Sequence, residues 1–310
     1  MFLVCGEALF DFFLETEEGP ASARYAARAG GSPFNVAIGL ARLGQQSGLL
    51  TGISRDLLGQ RLRRVLEDEG VSTRYSVATD RPTTISLVGL DTAGVPAYQF
   101  YDTGSADTGL TAADLPPLAP EVTGLHFGSY SIAVAPVADT LAGLAAGRGG
   151  RFVSVDPNIR PTVEPDMEVW RARLDGLLPH TDLVKISAED LGLIRPGLGR
   201  EAFAADLLGR GVQLVVVTDG DAPAHAWTAS GLHGSATPPK VVVIDTVGAG
   251  DTFQAALLAR LLRGPDGPKA AIAALDRVEL EAILSYAARA SALTCSRRGA
   301  DLPRAAELSD

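Results

Sequence analysis

Lysine is nearly missing from this chain. It occurs only at Lys185, Lys240 and Lys269, against 37 acidic residues, and the formal net charge is −10. Phosphate backbones need a basic surface, so this balance excludes nucleic acid as a partner. Nearly all the basic charge is arginine, which beside the high Ala and Gly content reads as codon bias rather than an arginine-built binding face. Cysteine is as scarce. Cys5 and Cys295 stand near opposite ends of the chain, and two cysteines make no disulfide framework, so buried free thiols are expected. The histidines His126, His180, His225 and His233 are scattered, and no zinc-ligand spacing occurs. No apolar run is long enough to span a bilayer. Met1 to Phe13 is apolar and Ala21-Ser22-Ala23 resembles a cleavage site. No basic segment precedes that run, however, and Glu7 and Asp11 interrupt it. The expectation is a cytoplasmic protein with no membrane partner. A G-x-x-x-x-G-K-[ST] loop and a G-x-S-x-G elbow are also absent, and Phe253 stands where a dinucleotide fingerprint after Gly248 and Gly250 needs a third glycine.

What remains is an ordinary globular composition, 46% hydrophobic and 21% charged over 310 residues, enough for one large α/β domain. Apolar runs at Phe2–Cys5, Leu49–Ile53, Gly124–Phe127, Phe152–Val155, Leu183–Ile186, Leu214–Val217 and Val241–Ile244 read as strands. They alternate with helical spacing at Asn35–Leu43, Leu57–Glu69, Glu201–Leu208 and Asp251–Leu262, with Gly44, Gly70 and Gly211 at C-cap positions. Buried strands alternating with helices predict a mostly parallel central sheet with helices on both faces. Two stretches break the rhythm, about 10–31 and 75–105, where short alternating strands and turn residues predict a small β-sheet lid inserted into a single domain of residues 1–310.

The chemistry concentrates in glycine-rich and acidic clusters. Asp245-Thr246-Val247-Gly248-Ala249-Gly250-Asp251-Thr252-Phe253 reads as an apolar run, a tight loop and a helix start. Gly248, Ala249 and Gly250 let a ligand approach the backbone, and a helix N-terminus binds anions. A carboxylate there repels the anion it accompanies, which suits Asp251 to taking a proton from an attacking hydroxyl; a helix cap explains the same residue. Gly30-Gly31-Ser32-Pro33-Phe34-Asn35 opens another helix, as a capped turn or as a polyol site in which the Asn35 amide and the Asp11 carboxylate meet sugar hydroxyls. Asp156-Pro157-Asn158-Ile159-Arg160-Pro161 follows a strand; Arg160 pairs either with Asp156 or with a substrate or phosphate oxygen. Lys185-Ile186-Ser187-Ala188-Glu189-Asp190 is a capping box, a water-mediated Mg²⁺ site, or both. Thr218-Asp219-Gly220 offers a hydroxyl and an amide to a nucleotide phosphate.

Taken together, these residues resemble the PfkB/ribokinase family of carbohydrate kinases over nearly the whole chain, most closely its bacterial fructokinases. The two glycine-rich stretches match the family's two signatures. Gly6-Glu7-Ala8-Leu9-Phe10-Asp11, the Asp156–Pro161 stretch and Arg298-Gly299-Ala300-Asp301 are similar to fructokinase patterns. The resemblance implies a ribokinase-like fold and phosphoryl transfer from MgATP to the primary hydroxyl of a ketohexose, most simply fructose. It implies Asp251 as base, Gly248, Ala249 and Gly250 as the anion hole, and Asp11, Gly30, Gly31, Asn35 and Phe100 around the sugar. Arg160 would contact sugar or γ-phosphate, and Thr218, Gly220, Lys185 and Ser187 would lie along the nucleotide. Asp190, with Glu189, would hold Mg²⁺ through water. Asp245, Val247, Thr294, Arg297 and Gly299 would hold K⁺, mostly through backbone. Two departures stand out. Ser187-Ala188-Glu189-Asp190 replaces the family's Asn-x-x-Glu, and Gly220-Asp221-Ala222-Pro223 lacks the nucleotide loop's second glycine.

Several alternatives stay open: a kinase for 2-keto-3-deoxygluconate (using Arg160), for ribose, or for a nucleoside stacked on Phe12, Tyr98, Phe100 or Tyr101, and a non-catalytic sugar-binding protein on this fold. Unpaired lid strands suggest a homodimer through the lid.

Overall fold

Nine of the strands lie edge to edge in one sheet, and four form a second. The computed structural model describes residues 1–90 and 96–308. The chain runs β1 (Phe2–Cys5), β2 (Leu9–Gly19), β3 (Ser22–Gly30), α1 (Ser32–Arg42), β4 (Ser47–Ser54), α2 (Leu57–Asp68), β5 (Ser76–Thr79), β6 (Ile85–Leu90), β7 (Pro96–Tyr101) and β8 (Gly124–Gly128). It continues through α3 (Val137–Ala146), β9 (Phe152–Asp156), α4 (Met167–Leu177), β10 (Leu183–Ser187), α5 (Ala188–Ile194) and α6 (Arg200–Gly209). The remaining elements are β11 (Leu214–Asp219), β12 (Ala222–Thr228), β13 (His233–Ala236), α7 (Ala249–Leu261), α8 (Gly267–Ala274) and α9 (Arg277–Cys295).

The large sheet has the order β13-β12-β11-β10-β9-β8-β1-β4-β5 and is parallel from β11 through β5, with β12 and β13 antiparallel at one edge. Its central strands β1, β4, β8 and β9 are buried on both faces because helices cover both. One core joins α1, α2, α7, α8 and α9 to the sheet; the other joins α3, α4, α5 and α6. Helix α7 is buried on all sides, which is why its sequence lacks a polar stripe. The Asp56 carboxylate caps α2 by accepting from the Gly59 amide at 2.7 Å, and Asp276 with Glu279 forms a capping box on α9.

The small sheet has the order β3-β2-β6-β7, with β2 and β6 parallel and the outer pairs antiparallel. Two expectations are corrected. Residues 76–79 are not lid: β5 pairs with β4 at the edge of the large sheet, and Tyr75 is buried in the second core. Val241–Ile244 is not a strand. Its side chains are 39%, 82%, 62% and 60% exposed, and its backbone is tied in by the Ile244 amide donating to the Cys295 carbonyl at 2.8 Å. An apolar run looks the same in sequence whether protein or something else covers it, and here the sheet's edge is already taken by β13.

Both cysteines are free; Cys5 is buried, and burial pushes its thiol well above the ordinary range. Among the described residues no helix is long and apolar enough to cross a membrane.

Candidate functional site

The parallel strands β1, β8, β9, β10 and β11 all end on one side of the sheet, and the clusters singled out in the sequence gather there. Ligands bind open α/β sheets at such carboxyl ends.

The N-termini of α1 and α7 meet at Asp251. Its Oδ1 accepts from the Ser32 hydroxyl at 2.6 Å and from the Asn158 amide at 3.4 Å, and its Oδ2 accepts from the Asn35 amide at 2.8 Å. Ser32 and Asn35 are three apart on α1, hence on one face. The cap reading of Asp251 does not hold: it lies inside α7, and its carboxylate makes no cap bond. The cap position is Gly248, left-handed at φ 78°, where a Cβ would come 2.6 Å from the Ala300 Cβ. The Ala249 amide, expected in the anion-binding set, donates to the Thr246 carbonyl at 3.2 Å, whereas the Gly250 and Asp251 amides find no protein acceptor among the described residues and stay open beside a buried carboxylate. Burial raises the Asp251 pKa, while the bonds from Ser32 and Asn35 and the charge of Arg160 hold it down.

Gly31 must be glycine for two reasons, φ 108° and a Cβ that would sit 2.8 Å from the Glu7 carbonyl. Glu7, to which the sequence reading gave no role of its own, is buried beneath this turn. It accepts from the Ser32 amide at 3.2 Å and from the Ser131 hydroxyl. Burial pushes its pKa up to about 7. A carboxyl that binds its proton more tightly folded than unfolded stabilises the fold fully below its unfolded pKa. That contribution is lost as the pH rises through about 7. The isosteric Glu7→Gln should therefore lose less thermal stability between pH 5 and 8 than the unsubstituted protein. Equal pH dependence in melting scans of the two proteins overturns this assignment.

On the sheet side, Asp156 pairs with the buried Lys185 ammonium at 2.5 Å, not with Arg160, which forms no ion pair among the described residues. Arg160 Nη1 instead donates to the carbonyls of Asn158 and Ile159 at 3.2 and 3.0 Å, and its charge acts on Asp11, Asp190 and Asp251. Lys185 Nζ stands 3.6 Å from where a Gly250 Cβ would be, beside the first turn of α7. Ser187 caps α5 by accepting from the Asp190 amide at 2.9 Å. Asp190 is buried and pushed up to about 6 by burial and by Asp156, whereas Glu189 is exposed. Thr218 lies next to Ser187 in register, and Gly220, at φ 55°, forms with Asp221 a two-residue hairpin turn between β11 and β12. The Gly220–Pro223 departure from the family pattern is therefore a tight turn with Pro223 on β12.

Four carboxylates (Asp11, Asp156, Asp190, Asp251) thus surround two cations (Arg160, Lys185), and one buried Asp156 oxygen has no partner among the described residues. A polyphosphate adds more negative charge, and the unpartnered Asp156 oxygen and the Asp190 carboxyl are hard oxygen donors of the kind a divalent cation takes, whereas Glu189, expected beside Asp190, is exposed. At the loop's far end, the Asp245 carboxylate accepts from the Val247 amide at 3.0 Å and the Gly299 amide at 2.7 Å. Thr294 is buried against Thr252, and the Arg297 side chain turns away to Glu307 and Asp301.

The lid contributes one row. Register places Arg28, Asp11, Ser86 and Phe100 side by side across β3, β2, β6 and β7, all on one face. Ser86 donates to Asp11, a Cβ on Gly30 would lie 2.7 Å from Asp11 Oδ2, and Phe100 meets Tyr130 edge-on at 6.0 Å. Phe12 and Tyr101 belong to the opposite face, and the Tyr98 side chain lies outside the described residues. Ser32 and Asn158 were visible inside the motifs. Ser86 had no sequence signal, because strand register alone brings it to Asp11.

The family model for "pfkB family carbohydrate kinase" matches residues 1–306. A fructokinase of Rhizobium leguminosarum bv. trifolii is 38% identical over 283 residues, covering 90% of this chain and 85% of that protein. The fructokinase of Salmonella typhimurium is 34% identical, covering 96% and 94%. Among solved structures, fructokinase with bound ATP from Xylella fastidiosa superposes with a TM-score of 0.91 at 28% identity, covering 99% and 96%. A fructokinase double mutant of Vibrio cholerae O395, bound to fructose, ADP and potassium, gives 0.83 at 27%, covering 99% and 97%.

Proposed function

This chain belongs to the pfkB family of carbohydrate kinases, and we propose that it transfers the γ-phosphoryl group of ATP to the primary hydroxyl of D-fructose. The observation that carries the reading is the first turn of α7, where a buried carboxylate and two open amides lie together.

The sugar lies between the lid row and α1, with Asp11, Asn35 and the Gly30–Gly31 backbone on its hydroxyls and Phe100 against its carbon face. Its primary hydroxyl oxygen attacks the γ-phosphorus while the bond to the ADP oxygen breaks; the electron pair leaves with ADP and the hydroxyl proton passes to Asp251. The Gly250 and Asp251 amides, with Lys185 and Arg160, hold the charge on the transferring group. Because such transfer is largely dissociative, positioning and electrostatics supply most of the acceleration. Thr218, Gly220 and Ser187 flank the nucleotide, and the exposed Val242 and Val243 offer apolar surface to its base. Mg²⁺ on Asp156 and Asp190 would neutralise phosphate charge. K⁺ beside Asp245, on the carbonyls of Val247, Thr294, Arg297 and Gly299, would order the loop. The lid excludes water, a rival acceptor for the phosphoryl group. A second copy pairs through the lid, where Leu14, Tyr25 and Tyr101 are exposed. Consumption of ATP fits a cytoplasmic location.

The test is ADP release from MgATP and KCl with fructose, tagatose, ribose, 2-keto-3-deoxygluconate and adenosine. Turnover should be fastest with fructose. Faster turnover of the keto acid would move the specificity to Arg160, and no turnover of any of them overturns the kinase reading.

A further inference from the structure

Arg28 ends the lid row on the edge strand β3, and its guanidinium reaches from the lid to a loop outside it. Nη1 donates to the Arg298 carbonyl at 2.8 Å, across 270 residues of sequence. The same group stands over the Phe13 ring at 5.9 Å and against Gly299, where a Cβ would come 2.4 Å from Nη1. Any side chain at position 299 would displace it.

From that point a short chain of bonds leads to the anion hole. The Gly299 amide holds one Asp245 oxygen, and the Val247 amide holds the other, one residue before Gly248. The lid and this loop face one another. A groove of about 440 Å³ runs between them, lined by Phe13, Leu14, Ala26, Arg28, Asp245 and Arg298 among others. A charge-assisted bond spanning an open groove is a point contact, not part of a packed interface. It forms only when β3 stands at this distance from the loop, and β3 carries Arg28 directly opposite Asp11.

We propose that Arg28 is a positioning residue that latches the lid to the 298–299 loop, so that sugar bound under the lid tightens nucleotide binding at the α7 N-terminus. This rests on the sugar-kinase reading above. Sugar on Asp11 holds the lid down, the latch orders Gly299 and Asp245, and the anion-hole amides gain their geometry before the nucleotide arrives. By linkage the nucleotide tightens sugar binding by the same factor.

The experiment is calorimetric titration of ADP with Mg²⁺ at constant KCl, with and without a saturating concentration of the panel sugar that is turned over fastest. In the unsubstituted protein the sugar should tighten ADP about five- to tenfold. In Arg28→Ala that ratio should fall to within about twofold, with the affinity for ADP alone and the melting temperature unchanged; Arg28→Lys, which can still reach a carbonyl, should keep part of it. A merely structural residue would move the melting temperature or the binary affinity instead, and either result overturns the latch. So does an unchanged ratio in Arg28→Ala, or no coupling in an unsubstituted protein that turns over sugar. Absence of turnover on the whole panel is a separate result, and it removes the kinase reading and the latch together.

Discussion

Asp251→Asn should lower kcat by about 10²- to 10⁴-fold, the range a positioned general base supplies. The loose transition state of phosphoryl transfer places the effect toward the lower end. The substitution preserves shape. An Asn carbonyl still accepts from Ser32, but its amide cannot accept from Asn35, so one of the two short bonds is lost. Against that loss stands the burial of the charge. Burial raises the carboxyl's pKa, so ionised Asp251 costs the fold stability above its unfolded pKa, and the neutral amide removes this cost. The melting temperature should therefore hold or rise while turnover collapses. Steady-state kinetics beside a melting scan separate the two effects. A kcat within a few fold of the unsubstituted enzyme would sink the base assignment, and a collapse in stability would show that Asp251 serves the fold.

The second large effect is expected at Gly248. At φ 78° any other residue incurs about 1–2 kcal/mol of backbone strain, and a Cβ there lies 2.6 Å from that of Ala300. Neither atom belongs to a flexible side chain, so Gly248→Ala must shift the start of α7 or the 299–301 loop. Shifting α7 moves the Gly250 and Asp251 amides off the phosphoryl oxygens, and losing one such donor costs about 10²- to 10³-fold in kcat. Gly250→Ala is the control, since its Cβ meets only Lys185 Nζ at an ordinary 3.6 Å. It should be much the milder of the two. Equal losses in kcat would mean that the glycines act through something other than backbone geometry.

Most of the frame was legible in the sequence. The six strands from Phe2–Cys5 to Leu214–Val217 and the helices between them follow from apolar period and glycine caps, which are local signals. The clusters after β9, β10 and β11 and the two glycine-rich helix starts do meet beyond the carboxyl ends of the parallel strands. Val241–Ile244 failed because hydrophobicity does not name what covers it. The segment at 76–79 failed because a short polar strand joins whichever sheet offers a free edge, and here that edge was β4. Arg160 and Asp156 are neighbours in sequence, yet Asp156 chose Lys185 from the adjacent strand. In a parallel sheet, side chains one strand away are closer than those four residues along.

By itself the sequence determined which chemically capable groups the chain offers: a carboxylate in a glycine-rich helix start, a second glycine turn with an amide, and acids and arginine at strand ends. These are fixed by residue type and by dihedral angles that only glycine adopts. Tertiary structure decided which of them touch. It paired Ser32 and Asn35 with Asp251 across more than 200 residues, set Asp11, Ser86 and Phe100 in one row, and bound Arg28 to the loop at Arg298. Strand register and helix packing set those distances, and both are settled by long-range burial, to which no local pattern of residues has access.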